Sequence, residues 1–278
     1  MKRITRIFII ADDALRREIY NHVKKDIPKE WQKEYEYSGT GALGLPLEED
    51  SKSYHYVMDM AKKYDFHPGV DQIVHYTKSE IEKTDYFKMD IATPLELEGT
   101  EASVYGTKYE GGCPNPKCHL GKKLVGDVFV DRKYMKKWDI GTLFPDNYMS
   151  EKLRELIHSE DITGVSFIGE VKDFKGREMP TYYVMDIEHI LPPMAGSTWL
   201  INDPYPNPAY NNCGHQVIYL RSDVQYEKEK LIGAKDFNLS SEYIDNNRMQ
   251  ALIVSNRVRK LFKQHKIWAR FSPIAVLE

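Results

Sequence analysis

The sequence predicts an α+β fold with a mixed or largely antiparallel sheet, flanking helices and one helix–strand unit used twice. Three observations lead there. The stretch Ser150 to Phe167, SEKLRELIHSEDITGVSF, is echoed near the C-terminus by Ser255 to Phe271, SNRVRKLFKQHKIWARF. Strand-like and helix-like segments alternate without the regular spacing of βαβ units, which argues against a parallel sheet. Hydrophobic residues make up 41% of the 278 positions, enough for one large core or two ordinary ones.

In both copies of the repeat a Ser precedes apolar residues at helical spacing: Leu153, Leu156 and Ile157, then Val258, Leu261 and Phe262. Such positions stack on one face, so each copy is a helix that buries a single stripe. The hydroxyl before the stripe can accept from an unpaired N–H of the first turn. A short polar link then leads to Ile162 or Ile267 and an alternating strand. The second copy has one residue fewer between its Ile and its Phe, so the strand registers need not match.

Taken in order, TRIFIIA (5–11) reads as a buried strand, and Asp12 or Asp13 caps a helix to about Lys25 with Leu15, Ile19 and Val23 on one face. Residues 36–52 read as a loop, 53–64 as a helix, 72–77 as a strand, 78–84 as a short helix and 85–92 as a strand. The acidic stretch 93–101 suggests a boundary, giving an N-terminal α+β region (1–100) and a C-terminal α+β domain (101–278). In the latter, KLVGDVFV (123–130) is a strand, and two more lie near 163–171 and 181–190. Residues 191–214 hold five prolines and form a long loop, followed by a strand at 215–222. A loop of that length is usually functional or pinned by something.

Composition bounds the function. No run of about 18 apolar residues exists, so no membrane span is expected. The short apolar run at the start is closed by Asp12 and Asp13 and lacks a small-residue cleavage site, which points to the cytoplasm. Three cysteines fit a reducing compartment rather than a disulfide framework. The formal charge of −3 names no partner, but residues 246–278 carry seven Lys or Arg against the single acid Glu278. That basic face reads mainly as the solvated side of the second repeat helix, with nucleic acid as the alternative partner.

Gly39-Thr40-Gly41-Ala42-Leu43-Gly44 matches a dinucleotide fingerprint by letter only: no apolar helix opens there and Glu48, Glu49 and Asp50 would repel phosphate. Cys113-Pro114-Asn115-Pro116-Lys117-Cys118 is more informative, because a cysteine pair after Gly111-Gly112 can present two thiolates to one zinc ion. Cys213 and His215 would complete a structural Cys3His site and pin the Pro-rich loop, with His119 competing as the fourth ligand. In YYVMDIEHI, strand geometry places Asp186 and Glu188 on one face and His189 on the other, a solvated face rather than an acid–base pair. No catalytic frame such as G-x-S-x-G or H-E-x-x-H is present, so no enzyme activity is expected. Tyr205 and Tyr210, set among prolines, are candidate partner-binding anchors.

The order of a cysteine knuckle, Lys137-Trp138-Asp139-Ile140, Ser-x-(Lys/Arg)-aliphatic-(Arg/Lys)-x-Leu and Ile162-Thr163-Gly164-Val165-x-Phe167 resembles bacterial immunity proteins of polymorphic toxin systems, above all the double-CxxCG-motif immunity family. The resemblance covers roughly 105–170 and 205–275. Cys113 and Cys118 match the first knuckle, with four intervening residues and His119 where Gly is expected. Tyr210-Asn211-Asn212-Cys213-Gly214 matches the second, with Tyr210 in place of its first cysteine. The resemblance implies a metal site and a cytoplasmic, non-enzymatic inhibitor that binds and neutralises a cognate toxin. The alternative is a zinc-containing nucleic-acid-binding module using the helix at 255–266.

Overall fold

The computed structural model describes residues 2–27, 29, 43–48, 51–66, 68–91, 105–114, 120–135, 138–143, 145–202, 218–244 and 249–278. The fold is α+β, with mostly antiparallel strand pairing. The chain divides into two compact units, Met1–Ile81 with Arg221–Asp223, and Glu82–Leu220 with Val224–Glu278. No helix among the described residues is long and apolar enough to cross a membrane.

In the first unit, β1 (Lys2–Ile9) lies between β2 (Leu43–Leu47) and β3 (Gly69–His75), antiparallel to both. Asp12, rather than Asp13, caps α1 (Asp13–Val23) by accepting from the Leu15 N–H at 2.9 Å. Ser51 caps α2 (Lys52–Lys63) in the same way through Tyr54. The residues expected as a loop at 36–52 include β2, because Leu43, Leu45 and Leu47 alternate into the core at 4%, 0% and 1% exposure. Pro46 is tolerated there because β2 is an edge strand and its missing N–H breaks no ladder bond. The helix α3 (Lys78–Lys83) follows β3.

The second unit holds β4 (Tyr86–Asp90), β5 (Lys108–Glu110), β6 (Lys123–Val125), β7 (Val128–Val130), β8 (Ile140–Leu143), β9 (Asp146–Ser150), α4 (Glu151–Ser159), β10 (Ser166–Asp173) and β11 (Tyr182–Asp186). It continues with β12 (Leu200–Asn202), β13 (Ile218–Leu220), β14 (Gln225–Glu227), β15 (Phe237–Ile244), β16 (Met249–Ser255), α5 (Asn256–Gln264), β17 (Arg270–Pro273) and β18 (Ala275–Leu277). The single strand expected at 123–130 is broken by Gly126, whose positive φ of 79° ends β6 before β7 begins. The strand expected at 85–92 in the N-terminal region is β4, which lies inside a sheet of the second unit.

The repeat is larger than the helix and strand that announce it. One sheet runs β7-β10-β11-β9-β8 and another runs β15-β16-β4-β17. Each contains a hairpin whose second strand ends in the capping Ser, then the helix, then a strand separated from the hairpin by a central strand antiparallel to both neighbours. The registers agree residue by residue. Ile140 faces Met149 as Phe237 faces Val254; Tyr182 faces Ser150 as Tyr86 faces Ser255; Phe167 faces Met185 as Phe271 faces Met89. The extra residue of the first copy lies in the link between Ile162 and Phe167 and leaves the register at Phe167 unchanged; the copies diverge after it, at a bulge between Phe167 and Gly169. The central strands share a sequence, Tyr182-Tyr183-Val184-Met185-Asp186 against Tyr86-Phe87-Lys88-Met89-Asp90. In the first copy the central strand follows the helix in sequence, and in the second it comes from before the first copy begins.

Local chemistry explains why both copies fold alike. The Ser150 hydroxyl accepts from Leu153 N–H (3.2 Å) and donates to Asp139 (2.9 Å); the Ser255 hydroxyl accepts from Val258 N–H (3.4 Å) and donates to Asp236 (2.6 Å). Each helix ends with a left-handed residue, Asp161 at φ 48° or Lys266 at φ 55°. The next N–H, of Ile162 or Ile267, then returns to a carbonyl five residues back at 3.1 or 2.9 Å. Leu153 and Ile157, like Val258 and Phe262, are at most 2% exposed, each contributing about 2 kcal/mol by burial.

Candidate functional site

The two copies meet through the link between α4 and β10. Thr163 donates its N–H and its hydroxyl to Asp236, both at 3.0 Å, and its carbonyl accepts from the Phe237 N–H at 3.0 Å. Gly164, at φ 85°, lies so close to this contact that a Cβ would stand 2.2 Å from the Phe237 carbonyl oxygen. On the far side of β11, His189 and Leu239 exchange backbone contact through the Leu239 N–H (2.9 Å), and the His189 ring Nδ1 sits 2.8 Å from Asn238 Oδ1.

Between the copies opens a cleft of about 700 Å3. Its wall from the first copy carries Asp146 at the start of β9 and Asp186 at the end of β11, with Glu188 beyond; the hairpin β15–β16 supplies Tyr243 and Gln250 opposite. Asp146 accepts from the Tyr109 hydroxyl at 2.6 Å. Burial, helped by the charge of Asp186 and opposed by that hydroxyl, raises the Asp146 carboxyl to about 6. Asp186 is also raised, by burial and then by Glu188, with Lys123 acting the other way. Asp146, Asp186 and Glu188 make no salt bridge among the described residues. At the edge of the same cleft stand Ile168 and Ile190, 45% and 54% exposed.

The copies differ in how their charges are matched. In the second copy, Asp90 is salt-bridged by Lys88; the first copy has Val184 in place of that lysine, and its Asp186 has Lys123 nearby but no salt bridge among the described residues. The guanidinium of Arg259 lies 5.0 Å from the Phe87 ring centroid and binds Glu82 at 2.8 Å. Its counterpart Arg154 lies 4.3 Å from the Tyr183 ring centroid and 5.7 Å from that of Phe167, and among the described residues it has no ion pair and its buried Nε no hydrogen-bond partner.

Of the site residues expected from the sequence, Cys113 alone falls within the described residues. It is 6% exposed, and its N–H donates to the Leu120 carbonyl at 2.9 Å, closing the β5–β6 hairpin. Gly112, at φ 67°, allows this close approach, since a Cβ there would lie 2.4 Å from the Lys122 nitrogen. Cys118, His119, Cys213 and His215, with the proposed anchors Tyr205 and Tyr210, lie outside the described residues. Among the described residues no three His, Cys, Asp or Glu side chains converge as a metal site.

One sequence reading changes. β11 ends at Asp186, so strand alternation does not extend to Glu188 and His189; all three line one further depression, of about 400 Å3, with Lys235. On the basic helix α5, Arg257, Lys260 and Lys263 are exposed, the solvated face expected, whereas Arg259 turns inward onto Glu82 at 2.8 Å. Asp146 stands in no recognisable motif, and Arg154 is the (Arg/Lys) of the Ser-x-(Lys/Arg)-aliphatic-(Arg/Lys)-x-Leu pattern, which marks the helix and not a site; the shared Tyr-x-x-Met-Asp of the central strands was the further signal available. No family model matches the sequence, and a search of curated proteins finds no match either.

Proposed function

We propose that this chain is a non-enzymatic immunity protein of the cytoplasm that binds and neutralises a cognate toxin domain, using the cleft between its two copies. The carrying observation is the cleft itself: three carboxylates without a salt bridge, flanked by two exposed isoleucines. Lys122 and Lys123 also line the cleft without bridging these carboxylates among the described residues, and a partner loop bearing Lys or Arg beside an apolar residue would complete both features, pairing the carboxylates and covering the apolar edge. The resemblance of the knuckle and repeat to immunity proteins supports the same reading. A structural zinc held by Cys113, Cys118, Cys213 and His215 belongs to the proposal as a pin for the Pro-rich loop, with Tyr205 and Tyr210 as further contacts.

Co-expression with the product of the adjacent gene tests it. A stable complex that is lost on Asp186→Lys with Glu188→Lys, while the double variant alone keeps its unfolding midpoint, is the expected result. The absence of a toxin-like neighbour, or a complex indifferent to the double reversal, overturns the reading. Zinc measured on protein purified without chelator, at less than about half an equivalent or unchanged in Cys213→Ser, removes the metal.

A further inference from the structure

The second copy of the repeat shows what the first is missing. There, Arg259 is 2% exposed, stacked on Phe87, and its charge is met by the carboxylate of Glu82 at 2.8 and 3.4 Å, with Asn256 at 3.0 Å. Lys263 approaches the same carboxylate at 3.7 Å. Shifting by the 105 residues that separate Ser150 from Ser255 carries Arg259 onto Arg154, Asn256 onto Glu151 and Lys263 onto His158. Phe87 maps onto Tyr183 through the matching registers. The frame is the same and the cation is the same, but Glu178, which stands four residues before Tyr182 as Glu82 stands before Tyr86, is exposed and makes no ion pair with Arg154 among the described residues.

Arg154 is held ready for one. Its guanidinium packs against two rings, Tyr183 and Phe167, which fix its plane and exclude water from its inner edge. Its Nε–H is buried without an acceptor among the described residues, an unfavourable state that an arriving acceptor would relieve. Glu151, one turn before it on α4, faces the Tyr183 hydroxyl at 3.5 Å instead.

We propose that Arg154 is a docking site for a single carboxylate carried by an acidic segment of another protein, which takes over Arg154 the place that Glu82 takes over Arg259. A guanidinium fork suits a carboxylate in a bidentate or edge-on pose. Glu151 and Glu155 on the same helix disfavour a polyanion such as nucleic acid, whose many phosphates would be repelled, while tolerating one well-placed carboxylate. The site is separate from the cleft carboxylates and does not depend on what fills the cleft.

The test uses the full chain with arginine 15N-labelled and, as probe, a capped peptide copying residues 77–84, TKSEIEKT, which carries the Glu82 side chain. The Arg154 Nε–Hε resonance is assigned by its loss in Arg154→Lys. Addition of the peptide is expected to shift that resonance saturably, and the version with Gln in place of Glu82 is expected to bind at least about fivefold more weakly. Arg259→Lys serves as a control that lowers the unfolding midpoint yet leaves the peptide response in place. Equal responses to the Glu and Gln peptides, no response in the millimolar range, or a resonance that moves as far in Glu151→Gln without peptide overturns the proposal. The last outcome would mean that Glu151 already serves Arg154.

Discussion

Replacing Asp146 by Asn isolates the cost of placing a carboxylate in the cleft. The folded carboxyl titrates at about 6, against 3.8 for an ordinary aspartate, because it is buried beside Asp186. Below pH ~4 it is protonated in both folded and unfolded chains and contributes nothing. Between those values the folded chain holds a proton that the unfolded chain has released, so stability falls as pH rises. Above the folded value both are ionised and the folded state carries the whole cost. A raised value of this size corresponds to about 3 kcal/mol, and partial exposure of the residue brings the expectation nearer ~2 kcal/mol. Asn keeps an acceptor for the Tyr109 hydroxyl and never ionises. Asp146→Asn is therefore expected to match the parent at pH 4 and exceed its stability by about 2 kcal/mol at pH 8. Urea unfolding followed by tryptophan fluorescence reads the relevant unit, which contains Trp138, Trp199 and Trp268. Asp186 titrates in both proteins, and removing the neighbouring Asp146 charge eases its ionisation, so its share widens the gap at pH 8 in the same direction. A gap that is the same at both pH values, or a variant less stable at pH 8, refutes the reasoning.

Three further outcomes follow from the shared frame. Lys266→Gly relieves a left-handed lysine at the end of α5 and is expected to raise stability by about 1 kcal/mol in urea unfolding, since the native N–H of Ile267 is kept. Gly164→Ala combines a positive φ with a Cβ 2.2 Å from the Phe237 carbonyl oxygen, so a loss of about 3 kcal/mol or more is expected from the same measurement. Ser150→Ala and Ser255→Ala each remove one helix cap and one donor to an aspartate, and each is expected to cost about 1–2 kcal/mol.

The two helices were legible because Ser caps and apolar stripes are local signals, read within one turn. Leu43–Leu47 was not, because Gly44 and Pro46 advertise a loop while the leucines between them alternate into a core visible only once β1 is in place. The hairpins before each helix escaped for a related reason. Their ends are fixed by Asp139 and Asp236, whose partners Ser150 and Ser255 stand 11 and 19 residues away. Nothing in the intervening residues announces that pairing. The cleft was illegible as a site, because Asp146 and Asp186 come from different strands, 40 residues apart in sequence, and their carboxyls become harder to ionise chiefly through burial in the fold.

Duplication provides an internal control that a single module would lack. The second copy establishes that this frame can match its charges from within: Lys88 for Asp90, Glu82 for Arg259. In the first copy the same aspartate and the same arginine persist, while Val184 replaces the lysine and Glu178, at the position of Glu82, makes no ion pair with Arg154 among the described residues. Folding alone gives no reason to retain them, because a half-buried carboxylate and a buried, unsatisfied Nε–H each cost free energy that Asn or Met would avoid. Asp186 opens onto the cleft, whereas Arg154 stacks against rings on α4 and neighbouring strands, so the first copy offers two separate charged positions of opposite sign. The division of labour we infer is therefore between copies, with the second closing its own charges to hold the sheet and the first leaving its charges open for other molecules.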